Sequence, residues 1–203
     1  MTGIAHPQHH IIYIPGLGDS KTRGQQFAVR LWRTYGVYGH CHAVIWNNTD
    51  SFENKLQGIL KEIDQLKSKG HIVSLMGASA GASMALHAFA ARKEAISSVV
   101  LVCGELADAR KINPSYFTKN PAFKVSMERL PATLNKLTMD DRKRVMSLHP
   151  LFDETVTIKD TYLEGARMFT SISFGHAFTI GMTLTIDFYI PMYFFMKWAI
   201  KKR

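Results

Sequence analysis

Apolar runs and helical periodicities alternate from one end of this chain to the other. Ile11 to Pro15 is a short apolar run closed by Pro15, Gly16 and Gly18, and reads as a strand entering a turn. Phe27, Leu31 and Tyr35 follow at spacing four with Gly36 as a stop, which predicts a helix, and Ala43 to Trp46 predicts a short strand. Between Phe52 and Ser68, Phe52, Leu56, Ile59, Leu60, Ile63 and Leu66 share one face while lysines and acids fill the other. An amphipathic helix is expected there, capped by Ser51 and stopped by Gly70. Ile72 to Met76 and Ile96 to Val102 predict buried strands, and the small-residue stretch Ala80 to Ala90 predicts a tightly packed helix between them.

From about Leu106 to Lys143 the pattern loosens, and Pro114, Pro121 and Pro131 are expected to cut it into short helical pieces. Strand-like segments return at Val145 to Leu148 and Met168 to Phe174, before a strongly apolar stretch from Ala177 to Ile200. Strands alternating with helices predict an α/β fold, a mostly parallel central sheet with helices packed on both faces. One domain over residues 1–203 is expected, with 106–143 as a helical, lid-like insertion; no internal repeat or low-complexity segment interrupts it.

Composition changes this picture little. At 203 residues and 46% hydrophobic content the chain can bury an ordinary core. Two cysteines, Cys41 and Cys103, suit a reducing, cytoplasmic setting, Cys103 lying at the end of an apolar run as a small hydrophobe. Met1 to His10 lacks a basic start followed by a long apolar stretch, so no secretory signal is expected. The net charge of +9 admits an anionic partner, but its cations are scattered and not interleaved with aromatics, so nucleic-acid binding is not expected. The terminal stretch carries only Asp187 and Lys197 as charges before Lys201, Lys202 and Arg203. With Pro191 in its middle, it is expected to pack on the sheet with an exposed apolar end, a place for peripheral membrane or homo-oligomer contact.

The candidate chemistry centres on Gly77, Ala78, Ser79, Ala80 and Gly81, a G-x-S-x-G sequence between a predicted strand and a predicted helix. A nucleophile on so sharp a turn needs small neighbours, because the backbone passes close to itself, and Gly77 and Gly81 provide them. The same residues also fit a plain glycine-rich turn whose serine caps the next helix. Downstream residues favour the nucleophile. A serine hydroxyl needs a base, and the base needs a carboxylate to fix its tautomer. Asp153 follows one strand candidate through the turn His149 to Phe152, and His176 follows another directly after Gly175.

These residues resemble the α/β-hydrolases, in which nucleophile, acid and histidine occur in this order at the carboxyl ends of strands. The likeness covers almost the whole chain. GASAG is similar to the nucleophile elbow, HPLFDETV to the acid-bearing turn, and FGHAF to the terminal histidine loop; IPGLGDS is similar to the oxyanion loop, with Pro15 where a histidine is usual. The resemblance implies a catalytic Ser79, Asp153 and His176, an oxyanion hole from the backbone N–H groups of Leu17 and Ala80, and motif glycines Gly16, Gly77 and Gly81. It also implies about six strands, since the family's first hairpin is missing from this chain. Glu105, just beyond another predicted strand, is the alternative acid, and by the resemblance His149 is a structural member of the Asp153 turn.

Tyr116, Phe117 and Phe123 either line an apolar acyl pocket or serve as ordinary lid packing. His40 and His42, or His9 and His10, have the spacing to share a metal, but no carboxylate or second cysteine pair accompanies them in sequence, so neither metal nor cofactor is expected. Asp19 and Ser20 are expected to cap the following helix. The function expected is a serine hydrolase cleaving a carboxylic ester of a small acyl substrate. Its rivals are an acyltransferase or amidase of the same fold, or a scaffold that keeps the fold without the activity.

Overall fold

A computed structural model of the chain describes residues 7–106, 109–185 and 191–201. Its strands are β1 (His9–Ile14), β2 (Val37–Cys41), β3 (Ile72–Ala78), β4 (Ile96–Val102), β5 (Val145–Phe152) and β6 (Arg167–Phe174). The helices are α1 (Arg23–Leu31), α2 (Phe52–Ser68), α3 (Ala80–Ala91), α4 (Pro114–Lys119), α5 (Pro121–Leu134), α6 (Met139–Arg142), α7 (His176–Thr185) and α8 (Pro191–Lys201). The six strands lie in the order β2-β1-β3-β4-β5-β6, and every neighbouring pair is parallel.

Side chains alternate across a strand, so each buried strand feeds two cores. Ile12 and Ile14 of β1 join a cluster with α2, α3 and α5, while Ile11 and Tyr13 join the cluster on the opposite face with α1, α7 and α8. Chain order reverses at β1, whose two neighbours are β2 and β3. The carboxyl ends of β1 and β3 therefore flank a topological switch point, where open α/β sheets hold their ligands.

The second strand is not the apolar run Ala43 to Trp46 but the more polar Val37–Cys41. As an edge strand β2 can carry polar side chains, and its Gly39 lies where an added Cβ would stand 2.3 Å from the Val29 carbonyl oxygen and 2.8 Å from the Trp32 ring. Ala43 to Trp46 is apolar for another reason: Trp46 plugs the core from a loop in which Ile45 has φ 54°. The Ile45 and Trp46 N–H groups donate to the Asp19 carboxylate, and Lys55 Nζ donates to the Val44 and Ile45 carbonyls. Asp19 therefore pins this loop and does not cap α1, whose N-cap is Thr22.

The stripe Phe27, Leu31 and Tyr35 marks a helix as expected, but on its outer side. These residues are 65%, 47% and 40% exposed, and Ala28, Val29 and Trp32 form the buried face. The last turn, Trp32–Tyr35, is a 3-10 helix ending at Gly36 with φ 74°, and Trp32 is anchored by its indole N–H to the Leu184 carbonyl. Pro131 does not break the loosely patterned region, because it lies inside α5, whose Phe123, Met127 and Leu130 pack in the core; Pro114 and Pro121 open α4 and α5. The fifth strand runs past Leu148, so His149 to Phe152 belong to β5 and pair with β6. The apolar terminal stretch divides into α7 and α8. In α8, Met192, Phe195, Met196 and Ala199 are buried; Asp187 lies outside the described residues. Among the described residues no helix is long and apolar enough to cross a membrane.

The entry to β5 is fixed by ions. Arg144 donates to the Lys93 and Ile96 carbonyls and to Asp141, and Lys93 donates to Asp141 as well. Burial pushes an acid upward, yet the donors Lys93, Thr138 and Arg144 outweigh it and hold Asp141 at about 2 against an ordinary 3.8. A carboxyl lowered by folding stabilises the fold above its ordinary value and loses that contribution as pH falls toward the folded value. Asp141→Asn is accordingly expected to unfold at lower urea than the parent near neutrality, with the gap closing as pH falls from 3.8 to about 2. A gap of constant size across that range counts against the ion cluster.

Candidate active site

Ser79 stands between β3 and α3 with φ 52° and ψ −122°, a conformation that non-glycine residues rarely adopt. Crowding explains it. A Cβ on Gly81 would sit 2.1 Å from the Ile14 carbonyl oxygen, and one on Gly77 would sit 2.4 Å from the Gly81 carbonyl oxygen. The end of β1, the end of β3 and the start of α3 thus cross with no room for side chains at either glycine. The Ser79 N–H is held by the Val102 carbonyl at 2.8 Å, and its side chain makes no cap bond to α3. The capping role open to this serine is therefore not the one it takes.

Instead the Ser79 hydroxyl lies 3.0 Å from His176 Nε2. His176 opens α7 after Gly175, whose φ of 90° turns the chain off β6 and whose N–H is held by the Phe152 carbonyl at 2.8 Å. Behind the ring, Nδ1 is 2.9 Å from Asp153 Oδ2. A carboxylate only accepts, so Nδ1 carries the proton and donates to Asp153, leaving Nε2 as acceptor for the Ser79 hydroxyl. Asp153 also accepts from the Thr155 and Val156 N–H groups at 2.8 and 2.9 Å, and its side chain is 1% exposed. Ser79 as a residue is half-buried.

The structure thus brings Ser79, Asp153 and His176 together with Gly77, Ala80 and Gly81. Gly16 joins them: a Cβ there would stand 2.9 Å from Ser79 Cβ, so the backbone of the loop after β1 touches the serine, with Leu17 next in the chain. Ala80 is the first residue of α3, where helix N–H groups lack intrahelical acceptors. Glu105 is half-buried beyond β4, and the carboxylate behind His176 is Asp153. Phe117 and Phe123 pack on each other, and Phe123 packs edge-on against Trp46, whose indole donates to the Pro15 carbonyl; Tyr116 is 46% exposed. Phe117, Phe123 and Trp46 back the loop after β1 as part of the core, and Tyr116 does not. His149 is buried, bonded to the Pro150 carbonyl and Thr170.

Two neighbours of the site were not legible in the sequence. The Glu154 carboxylate accepts the His176 N–H at 3.0 Å, placing negative charge at the N-terminus of α7. Cys103, with φ 50° at the end of β4, directs its buried thiol to Asp153. The only signals were the adjacency of Glu154 to Asp153 and of Cys103 to a strand end. Donor atoms of Cys103, Asp153 and His176 lie within 4.8 Å of one another, a set whose types suit zinc. The His176 and Asp153 atoms are already joined by a hydrogen bond, and burial first, then the Asp153 charge, pushes the thiol far up, so a metal there would have to displace two protons. His40 and His42 share the Glu62 carboxylate, at 3.4 and 2.7 Å, in the place where a metal was conceivable from spacing.

No family model matches the sequence, and no curated protein matches it as a relative. Solved structures do match. A carboxylesterase of the thaumarchaeon Nitrososphaera gargenis is similar over 97% of this chain and 92% of its own, with TM-score 0.73 and 10% identity. The chain has the α/β-hydrolase fold. Est1E from Butyrivibrio proteoclasticus is similar over 84% of this chain and 80% of its own, with TM-score 0.64 and 16% identity. An alpha/beta hydrolase enzyme from lagoon-sediment metagenome is similar over 94% and 91%, with TM-score 0.62 and 16% identity. In this α/β-hydrolase fold the ends of β3, β5 and β6 deliver Ser79, Asp153 and His176.

Thiol chemistry checks the contact behind Asp153. A thiolate is the reactive form, and burial pushes Cys41 up to about 11 and Cys103 further still. Iodoacetamide at mildly alkaline pH is expected to modify the half-buried Cys41 first and Cys103 only after unfolding in urea, as read by peptide mass. Modification of Cys103 at the Cys41 rate in the folded protein contradicts its placement.

Proposed function

We propose that this α/β-hydrolase is a serine hydrolase that cleaves a carboxylic ester through an acyl-enzyme on Ser79. The observation that carries the reading is the unbroken hydrogen-bond chain from the Ser79 hydroxyl through His176 to Asp153. His176 Nε2 takes the hydroxyl proton as Ser79 Oγ attacks the carbonyl carbon. Asp153, shielded from water, holds the ring in the tautomer this needs and balances the imidazolium that forms. The Leu17 and Ala80 N–H groups receive the negative oxygen of the tetrahedral intermediate. When that intermediate collapses, the imidazolium gives its proton to the departing alkoxide and the alcohol leaves. Water then attacks the acyl-enzyme, passing a proton to Nε2, and a second collapse returns the hydroxyl to Ser79 and frees the acid.

The ester as substrate class rests on the carboxylesterase among the structurally similar proteins, and the site itself supplies every proton acceptor and donor the two half-reactions use. The free thiols Cys41 and Cys103 support a reducing, cytoplasmic setting. Ser79→Ala is expected to lower turnover of a short p-nitrophenyl ester about a thousandfold or more, leaving what binding and the oxyanion donors provide. A fluorophosphonate probe is expected to label the parent protein at Ser79 and to leave the variant unlabelled. Unchanged turnover in Ser79→Ala removes the proposal.

A further inference from the structure

Two apolar side chains of the outward stripe on α1 are turned to solvent. Phe27 is 65% and Leu31 47% exposed, while Ala28, Val29 and Trp32 supply the contacts that seat the helix on the sheet. Beside the stripe stand the exposed cations Lys21, Arg23, Arg30 and Arg33. From residue 20 to residue 49 the sequence contains no Asp or Glu, and the Asp19 carboxylate just before it is turned inward on the Ile45 and Trp46 N–H groups. Among the described residues, Lys21, Arg23 and Arg30 meet no acidic partner. The Glu62 carboxylate lines the groove beside Arg30 but is engaged by His40 and His42, so the segment presents an excess of positive charge around protruding apolar side chains.

We infer that α1 and the turn after it form a docking surface for an anionic lipid bilayer. The charge argues for that occupant. A second copy meeting this face through a twofold axis would set the same cations against one another. A nucleic acid would satisfy the cations, yet Leu31 offers no ring for a base and gains nothing from phosphate. Only a surface that is negative outside and hydrocarbon beneath receives both sets, the apolar stripe entering the acyl boundary and the cations meeting headgroups. The α8 helix is not this surface, since its Met192, Phe195, Met196 and Ala199 are turned into the core. The inference is independent of the ester reading, because none of these residues takes part in the proposed chemistry.

The test is flotation of the full chain with vesicles of phosphatidylcholine alone or with about one-third phosphatidylserine. The parent is expected to float with the anionic vesicles only, and to be released at about 1 M salt. Arg23→Gln with Arg30→Gln is expected to lower the partition coefficient about twenty-five-fold, near fivefold for each surface cation. Phe27→Ser with Leu31→Ser is expected to lower it about tenfold or more. Both double variants should melt with the parent and turn over a soluble ester at the parental rate, since every altered side chain is exposed. Failure to float with anionic vesicles, or flotation that neither double variant weakens, overturns the inference. So does self-association lost in Phe27→Ser with Leu31→Ser while vesicles capture nothing, or retention of a labelled oligonucleotide in place of vesicles.

Discussion

The arrangement depends on a close crossing of three backbone segments. The end of β1, the end of β3 and the start of α3 meet so tightly that neither Gly77 nor Gly81 has room for a Cβ. That crossing turns the chain through a positive φ at Ser79, a residue for which such a conformation costs roughly 1–3 kcal/mol. The strain persists because the sheet over-determines it, through the bond from the Ser79 N–H to the Val102 carbonyl. Its consequence is directional. A serine in an ordinary N-cap conformation would spend its oxygen on the helix; here the hydroxyl projects over the carboxyl edge of the sheet, toward His176, with the Gly16 backbone against its other side.

The remaining groups arrive by register. Cys103, Asp153 and Gly175 each leave a parallel strand at the same edge, and the contacts among them hold only if β4, β5 and β6 keep their alignment. A one-residue slip would reverse every side chain on the slipped strand and carry Asp153 away from the ring. Register is defended at the opposite end of the sheet, where Arg144 bonds the Lys93 and Ile96 carbonyls and Asp141 just before β5 begins. Near the site, the Phe152 carbonyl takes the Gly175 N–H and the Glu154 carboxylate takes that of His176, so the Asp153 loop and the His176 loop are bonded to each other twice besides the Asp153–His176 bond itself. The imidazole is positioned by its backbone as much as by its ring.

What could be read from the sequence follows from which constraints are local. The central strands of a parallel sheet are buried on both faces and show as continuous apolar runs, so β1, β3 and β4 were legible. The edge strand β2 was not, because its Tyr38, Gly39 and His40 answer to neighbours far away in sequence: a stacked His10 ring, the backbone of α1, and Glu62. Ala43 to Trp46 misled for the converse reason, since a loop that plugs a core is as apolar as a strand. Ser79, Asp153 and His176 were legible through their order and the small residues around them. Glu154 and Cys103 were not, because an isolated acid or thiol has no pattern, and their roles exist only once separate strand ends meet.

The α1 helix shows how far periodicity reaches. Spacing of four announces a stripe and says nothing about what covers it, and two stripes share this helix: one faces the sheet and the other faces out. A globular chain loses solubility by leaving an aromatic and a leucine in water on one helix face, and single exposed apolar residues need no explanation while aligned ones do. The buried stripe is fastened by Trp32 to the Leu184 carbonyl, near the end of the same α7 that begins with His176. The outward stripe and the His176 ring thus belong to one packed helix pair on one face of the sheet. A surface held by α1 would orient the site as a rigid body without altering any distance within it, so the proposed docking and the proposed chemistry would be separable.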